Sequence, residues 1–258
     1  MKTPIKDSLN FKSLNLVKEL IPKKSVVNSF LLYSGFFDFE LARDGRYVTS
    51  HTDKYCIYEF WSCVLYDPER VEDNARFIYN ELAKMSAEEI EILLADVQEN
   101  PDDSPDPYVS AAYFFLLNQL SDLNLISSGK MHLKNFNPIS LHTLQNFKVD
   151  NFHVSHDEKS SFLESVHRQD SDFLFLPVGN YSYNLFEHGK NKGRETTTVY
   201  HKQLFDLLVQ IDTQWVVVYK KHLDIFDLYK NYNLFMVDKY GKRTLKKDKC
   251  EDIVIANF

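Results

Sequence analysis

The chain has 258 residues, of which 44% are hydrophobic and 26% are charged, and its formal net charge is -7. This length fits one large domain or one domain with an inserted lobe, and the composition excludes fibrous and disordered classes. No apolar run approaches the roughly 20 residues that cross a bilayer, and residues 1–10 hold no apolar signal segment, so we expect a soluble, intracellular protein.

Glycine and cysteine are both scarce in this chain. Only 7 residues are glycine, whereas aromatic residues make up 14%. Loops that bind phosphates or dinucleotides use glycines where the backbone approaches the ligand, so this scarcity argues against such a loop. The three cysteines, Cys56, Cys63 and Cys250, include no close pair, which argues against a disulfide framework and a thiolate zinc site.

The first part of the chain predicts a helix and two strands. The apolar residues of Leu14 to Ile21 have helical spacing, which indicates an amphipathic helix that ends before Pro22. A β-branched run over 25–30 predicts a first buried strand. A second strand is expected at Arg46 to Ser50, after a turn at Asp44-Gly45.

The middle of the chain predicts helices. Asp67-Pro68 has the form of an N-cap followed by proline at the first helical position, and we expect this helix to reach about Met85. Ser86 and Glu89 form a capping box for a second helix. A strongly apolar helix follows from Tyr108 to about Leu120.

One stretch of this helical region is strongly acidic. Residues 88–106 contain eight acidic side chains and no basic one. We interpret them as a solvated helix face with a proline-stiffened loop, and the alternative is a binding site for a basic partner.

The second half of the chain contains three apolar runs that predict buried strands, Phe173 to Leu176, Trp215 to Tyr219 and Ile253 to Ala256. Strands that alternate with helical segments predict an α/β layer architecture. We therefore expect one α/β domain made of residues 1–66 and 130–258, with a helical insertion at 67–129.

The segments Ala112 to Ser121 and Leu125 to Gly129 carry a resemblance to a known family. They resemble the Dam-type, α-class adenine-specific DNA methyltransferases, in which an apolar helix ends in Leu-Asn-Arg-x-Ser-Phe-x-Gly-Leu before a Ser-Gly-Gly turn. Further similar segments follow the order of the family over nearly the whole chain: Ile57 to Trp61, Asp67 to Glu69, Asp172 to Leu176, Trp215 to Tyr219, Ile225 to Tyr229, Tyr240-Gly241 and Ile253 to Asn257.

This resemblance implies a Rossmann-like, S-adenosylmethionine-dependent methyltransferase fold. It also implies that the helical insertion at 67–129 is similar to the target-recognition lobe of the family.

The family binds its methyl donor with two motifs, and this sequence departs from both. The family has Pro-Phe-x-Gly-x-Gly after its first strand, whereas Leu32 and Ser34 stand here where the two glycines belong. The second strand of the family ends in an acid that accepts hydrogen bonds from the donor ribose. Thr52 occupies that position here, and Asp53 could serve only after a one-residue register shift that turns its side chain to the other face.

The catalytic motif of the family, Asp-Pro-Pro-Tyr, is also altered. Its Asp accepts a hydrogen bond from the adenine amino group, and its Tyr stacks on the flipped base. The equivalent residues here are Pro177, Val178, Gly179 and Asn180. A shift of one residue brings Tyr181 to the stacking position but puts Val178 at the position of the acid. Neither register supplies an acceptor for the amine.

We expect Pro177 to Tyr181 to form a loop at the carboxyl end of a central strand, where ligands of open α/β sheets bind. We also expect this site to be filled by aromatic side chains such as Tyr33 or Phe36.

Two other arrangements deserve a chemical interpretation. His153 and His156, with Asp157 beside them, could ligate a metal ion, but no third ligand lies at a usual spacing and we interpret them as a polar loop. Cys56 and His51 could act as nucleophile and base, but a cysteine in an aromatic helix is typical of a core. We expect no metal site.

Basic residues cluster in two segments of the second half. One cluster is Lys190, Lys192 and Arg194. The other is a predicted hairpin tip whose candidate nucleic-acid contacts are Lys239, Lys242, Arg243, Lys246 and Lys247. The resemblance implies that this hairpin lies near DNA, and the alternative is a solvated hairpin. The recognition segment has Gln119 in place of the family Arg and an acid at Asp122 that would repel phosphate.

The sequence thus predicts a catalytically silent homologue of a DNA adenine methyltransferase, without cofactor, that acts as a binding, regulatory or structural subunit. We expect a protein partner, at most weak DNA contact and no membrane contact. The setting would be the cytoplasm of a host cell or, for a viral or phage protein, the virion. The alternative is an active adenine methyltransferase that binds S-adenosylmethionine in a rebuilt site made of Asp53, Asn180 and Tyr181.

Overall fold

A computed structural model describes residues 3–99, 105–127, 129–157, 162–168, 171–181 and 197–258. The described strands form one sheet: β1 (Val26–Ser29), β2 (Tyr47–Thr52), β3 (Phe152–His156), β4 (Phe173–Gly179), β5 (Gln214–Lys220), β6 (Asn233–Asp238), β7 (Arg243–Thr244) and β8 (Cys250–Ala256).

The strand order across the sheet is β3-β2-β1-β4-β5-β8-β6-β7. Strands β1 to β5 pair in parallel with one another, whereas β8 is antiparallel to both β5 and β6. A parallel half of order 3-2-1-4-5 is a doubly wound, Rossmann-like arrangement, and β8 is inserted antiparallel between β5 and β6. The predicted fold class is therefore confirmed.

The described helices are α1 (Leu14–Leu20), α2 (Phe36–Arg43), α3 (Tyr55–Tyr66), α4 (Pro68–Leu82), α5 (Ala87–Glu99), α6 (Pro107–Leu120), α7 (Ile139–Gln145), α8 (Phe162–Arg168), α9 (His201–Leu208) and α10 (Leu223–Leu228). None of these described helices is both long enough and apolar enough to span a bilayer.

The predicted helix starts are confirmed by their capping bonds. The Asp67 carboxylate accepts a hydrogen bond from the Arg70 amide at 3.1 Å. At the start of α5, the Ser86 amide donates to the Glu89 carboxylate at 2.8 Å, and the Glu89 amide donates to the Ser86 hydroxyl at 3.3 Å. These bonds satisfy amide groups that have no partner inside a helix.

The core lies on both faces of the sheet because successive side chains of a buried strand point to opposite sides. In β5, Trp215 and Val217 pack with α9 and α10, whereas Val216 and Val218 pack with α1 and α2. A third apolar cluster, centred on Trp61, joins α3, α4 and α6. We call it the helical cluster.

Two elements differ from the sequence prediction. Residues 153–156, predicted as a polar loop, belong to β3, which pairs in parallel with β2. This prediction was wrong because β3 is an edge strand, where Val154 is buried while His153 is exposed, so its apolar pattern is short. Helix α2 was not predicted. The division into an insertion at 67–129 and a surrounding domain stays a prediction.

Candidate functional site at the carboxyl edge of the sheet

The carboxyl ends of β1 and β4 define the candidate site. The connection after β1 runs through α2, whose Phe37 and Leu41 pack on one face of the sheet, and α9 before β5 packs Leu204 and Leu208 on the other. The winding direction therefore reverses between β1 and β4. In open α/β sheets, ligands bind in the crevice at such a switch point.

The turn after β1 lies in this crevice. Leu31 and Gly35 both have positive φ, 65° and 66° respectively, and a left-handed conformation at a leucine is strained. Leu32 is 3% exposed and belongs to the helical cluster. Ser34 is also 3% exposed, and its hydroxyl donates to the Asp7 carboxylate at 2.6 Å. The buried side chains of Leu32 and Ser34 therefore occupy the turn at the two positions where the family has glycines.

The N-terminal residues Thr3 to Lys12, which we call the strap, reach this same edge of the sheet. Besides the bond from Ser34 to Asp7, Leu9 contacts Gly179 at the end of β4, where an added Cβ would lie 2.9 Å from Leu9 Cδ1. Gly179 has φ of +79°, a conformation that favours glycine, and an added Cβ would also force the end of the Leu9 side chain to shift. Sequence reasoning missed the strap.

The strap is anchored to the end of α6. The Lys6 amide donates to Asn118 Oδ1 at 2.9 Å, and Asn118 Nδ2 donates to the Lys6 carbonyl at 3.1 Å. Gln119 Nε2 donates to the Pro4 carbonyl at 2.9 Å. Lys6 Nζ donates to the Gln119 carbonyl at 2.8 Å and to the Asn135 carbonyl at 3.2 Å, and burial lowers the pKa of Lys6.

Asn118 and Gln119 are therefore interior residues. They are 0% and 1% exposed, so Gln119 does not lie on the recognition surface where the resemblance would put the family Arg. Asp122, in contrast, is exposed.

The other end of the strap is held by Asp252 in β8. Its buried carboxylate accepts hydrogen bonds from the amides of Lys12 at 2.5 Å and Ser13 at 2.9 Å. Lys220 Nζ donates to the other oxygen of the same carboxylate at 2.5 Å. A buried charge that is paired and hydrogen-bonded in this way is satisfied, so the strap is fixed at both ends.

The carboxyl end of β2 holds the residues expected near a donor ribose. Thr52 is buried, its hydroxyl accepts a hydrogen bond from the Lys54 amide at 3.1 Å, and its carbonyl accepts one from the Asp157 amide at 3.0 Å. Asp53 is half-buried, accepts a hydrogen bond from the Thr197 hydroxyl and lies 3.2 Å from Lys54 Nζ.

A buried polar group at His51 was not predicted. Its Nδ1 lies 3.2 Å from the Asp157 carboxylate, and its Nε2 lies 3.3 Å from Asn28 Oδ1. The ring stacks on Phe30, with centroids 4.9 Å apart and an interplanar angle of 19°. Although burial alone would raise the pKa of Asp157, hydrogen bonding and charge from His51 hold it below its usual value. His51 is thus engaged with Asp157 and Asn28, and Cys56 packs against the helical cluster.

The degenerate catalytic segment spans the end of β4. Pro177, Val178 and Gly179 belong to the strand, whose pairing with β5 shifts register between Leu176 and Gly179. Their predicted position in a loop was wrong, because a proline is tolerated where the ladder is irregular. Asn180 follows the strand and is exposed.

Tyr181 is 8% exposed, and its ring lies 4.5 Å from the ring of His201 and 4.6 Å from that of His222, measured between centroids. Two imidazoles of this chain therefore contact the tyrosine that one register placed at the stacking position. Tyr33 packs against the helical cluster and donates its hydroxyl to the Asn124 carbonyl at 2.6 Å, and its expected role in filling the site stays a prediction.

The basic hairpin was predicted correctly as a structure. It joins β6 to β7, and its candidate contact residues are all exposed: Lys239, Lys242, Arg243, Lys246 and Lys247. Arg243 Nη2 lies 3.0 Å from the Glu19 carboxylate, and Lys247 Nζ lies 4.5 Å from the centre of the Phe226 ring. The other basic cluster lies outside the described residues: Lys190, Lys192 and Arg194.

Potential metal ligands do not converge in the part of the chain that the structure describes, where no group of three His, Cys, Asp or Glu side chains could hold an ion. His156 instead stacks on Tyr58, with centroids 5.5 Å apart.

The chain is similar to known proteins in structure but not in sequence. No family model and no curated protein matches the sequence. Among solved structures, a SAM-dependent methyltransferase from Neisseria gonorrhoeae aligns with 10% identity and a TM-score of 0.32. The alignment covers 96% of this chain and 64% of that protein, so the chain spans about two thirds of the length of its neighbour.

Proposed function

We propose that this chain is a catalytically silent homologue of a DNA adenine methyltransferase that serves as a binding, regulatory or structural subunit for a protein partner. The observation that carries the proposal is the strap. Asp7 bonds Ser34 in the turn after β1, and Leu9 contacts Gly179 at the end of β4. The strap thus contacts both strands that flank the switch point, where a methyl donor would have to bind.

The residues of the donor turn do not fit S-adenosylmethionine. A donor needs backbone groups that it can approach closely, which is the role of glycine in such turns. Leu32 instead fills this position with a side chain that is almost fully buried among apolar neighbours. Removing a buried leucine from such a cluster costs about 2–5 kcal/mol, so moving the Leu32 side chain out of the cluster to admit a ligand would be unfavourable.

The acids that the chemistry needs are also missing or engaged. Thr52 has no carboxylate, and Asp53 already accepts a hydrogen bond from Thr197 and pairs with Lys54. The segment from Pro177 to Tyr181 contains no carboxylate to accept a hydrogen bond from an adenine amine. We therefore infer that neither donor binding nor base activation is the task of this site.

The test is isothermal titration of the full chain with S-adenosylmethionine. We expect no saturable heat at donor concentrations up to about 1 mM, a limit of roughly -4 kcal/mol in binding free energy. Micromolar affinity would overturn the proposal.

A second candidate, an active enzyme with a rebuilt site, is favoured by Asp53, a carboxylate at the end of β2 next to the expected ribose position. On that alternative, S-adenosylmethionine binds and Asp53→Asn weakens it by about tenfold or more, since hydrogen bonds to a charged acceptor contribute about 1.5–3 kcal/mol. Glu91→Gln, a carboxylate-to-amide change on exposed α5, is the matched control.

A further inference from the structure

Helix α5 has an apolar groove on its solvent side. The groove has a volume of about 500 Å³ and is lined by Met85, Glu89, Ile92, Leu93 and Asp96. Ile92 is 67% exposed and Met85 is 40% exposed. Burying an apolar side chain of this kind is favourable, so a partner that covers Ile92 and Met85 would gain binding free energy.

The groove borders the face by which α5 joins the core. Glu89, Ile92, Leu93 and Asp96 are spaced i, i+3, i+4 and i+7, which places them along one stripe of the helix. The side chains of α5 that belong to or contact the helical cluster are Ile90, Leu93, Leu94 and Val97, so Leu93 is shared between the core contact and the groove. Ile92 is not among them, so its exposed apolar surface is additional to the packing that holds α5 in place.

The charges that α5 contributes to the groove are negative. Glu89 and Asp96 are part of the lining, and no basic residue occurs between 85 and 106. The nearest preceding base, Lys84, pairs with Glu81 at 2.6 Å. An acidic rim around an apolar floor selects for a partner that is both cationic and apolar.

We propose that this groove binds a basic amphipathic helix of a protein partner. Apolar side chains at i, i+3 or i+4, and i+7 of that helix would pack on Met85, Ile92 and Leu93, which is the helix-in-groove mode of recognition. Its Lys or Arg residues would reach Glu89 and Asp96. A second copy of this chain fits poorly, because two copies would bring the same acids together. The proposal rests on the proposed function as a protein-binding subunit and names the chemistry of the partner.

The probe is a fluorescent synthetic helix of leucine and lysine with its leucines on one face, titrated with the full chain by fluorescence anisotropy. We expect saturable binding that weakens with salt, and none to a matched helix in which glutamate replaces lysine. Ile92→Ser and Asp96→Lys should each weaken binding about tenfold, the equivalent of about 1.4 kcal/mol.

The matched control is Glu91→Lys, which makes the same charge change on the same helix but off the stripe, and we expect its affinity to stay within about twofold of the wild type. Circular dichroism checks that the variants keep their helix content. Three results would overturn the proposal: no saturable binding of the cationic helix, equal losses in Glu91→Lys and Asp96→Lys, or a dimer in sedimentation that Ile92→Ser dissociates.

The titration with S-adenosylmethionine distinguishes this proposal from the proposed function. Donor binding overturns the silent role whatever the peptide does. If neither the peptide nor the donor binds, only the proposal about the groove is overturned, and the proposed silent role stands.

Discussion

Asn118 is the residue whose replacement tests the role of the strap most directly. Its side chain is 0% exposed. The amide exchanges two hydrogen bonds with the Lys6 backbone and also donates to the Asn124 carbonyl at 2.8 Å and to the Tyr33 hydroxyl at 3.0 Å. Asn118→Leu keeps nearly the same volume but removes every one of these bonds.

The magnitude follows from what the substitution leaves behind. The Lys6 amide loses its acceptor and the Lys6 carbonyl loses its donor, whereas the Asn124 carbonyl keeps the hydrogen bond from the Tyr33 hydroxyl. Each polar group left buried without a partner costs about 1–3 kcal/mol, although groups near the edge regain water when the strap loosens. We therefore expect the free energy of unfolding to fall by about 2–4 kcal/mol. At roughly 2–4 °C per kcal/mol for a chain of this size, the midpoint of thermal unfolding falls by about 4–16 °C.

The assay is urea and thermal unfolding, combined with hydrogen exchange of the Lys6 amide. The matched control is Asn80→Leu, the same chemical change at an exposed position of α4, which should stay within about 0.5 kcal/mol of the wild type. Unchanged stability and unchanged protection of the Lys6 amide in Asn118→Leu would refute the reasoning that Asn118 holds the strap.

Three further predictions concern Gly179, Asp157 and the basic hairpin. Gly179→Ala should lower the free energy of unfolding by about 1–3 kcal/mol, because of the positive φ and the contact with Leu9. Adding Leu9→Ala should restore only the part of this loss that is due to the contact. A double-mutant cycle of unfolding free energies in urea measures that part. The pKa of Asp157 lies below its ordinary value of 3.8, so its contribution to stability is present above that value and is lost as the pH falls through the lower folded pKa. Asp157→Asn should therefore lower the free energy of unfolding at pH 7, and the difference from the wild type should shrink in acid. A difference that stays constant down to pH 2 would contradict this. For the hairpin, we expect weak binding to duplex DNA that does not depend on sequence, and a plot of log affinity against log salt with a slope of about -0.9 per phosphate neutralised. This slope should flatten when four basic residues are replaced by Ser: Lys242, Arg243, Lys246 and Lys247. Tight, sequence-selective binding at physiological salt would contradict this expectation.

The elements that could be predicted are those marked by a local sequence signal, either a continuous apolar run or a capping residue. The runs Phe173 to Leu176 and Trp215 to Tyr219 became strands because β4 and β5 lie in the middle of the sheet and are covered on both faces, which requires continuous apolar sequence. Helices α4 and α5 could be placed because Asp67 and Ser86 carry local capping signals. Strand β3 was missed because an edge strand needs only one apolar face.

The candidate site could be predicted only in part, for a different reason. The substitutions at Leu32, Ser34 and Thr52 could be read from the sequence because each concerns one position of a local motif. The strap could not, because its residues have no apolar period, and its bond to Asn118 joins positions 112 residues apart. Asn118 and Gln119 were interpreted as part of a recognition surface, whereas their amides bind the backbone of the strap.

The anchoring of the strap bears on whether it could simply move aside for a donor. Displacing it would break the bonds of Lys6 with Asn118, of Pro4 with Gln119, of Asp7 with Ser34 and of Lys12 with Asp252. At a net contribution of about 1 kcal/mol per hydrogen bond, these bonds together oppose displacement by roughly 5 kcal/mol. A ligand that must first open the strap would lose between three and four orders of magnitude in apparent affinity, at about 1.4 kcal/mol for each factor of ten. A donor with micromolar intrinsic affinity would then bind in the millimolar range or more weakly, so the strap alone would suppress donor binding even if the turn at Leu32 tolerated the ligand.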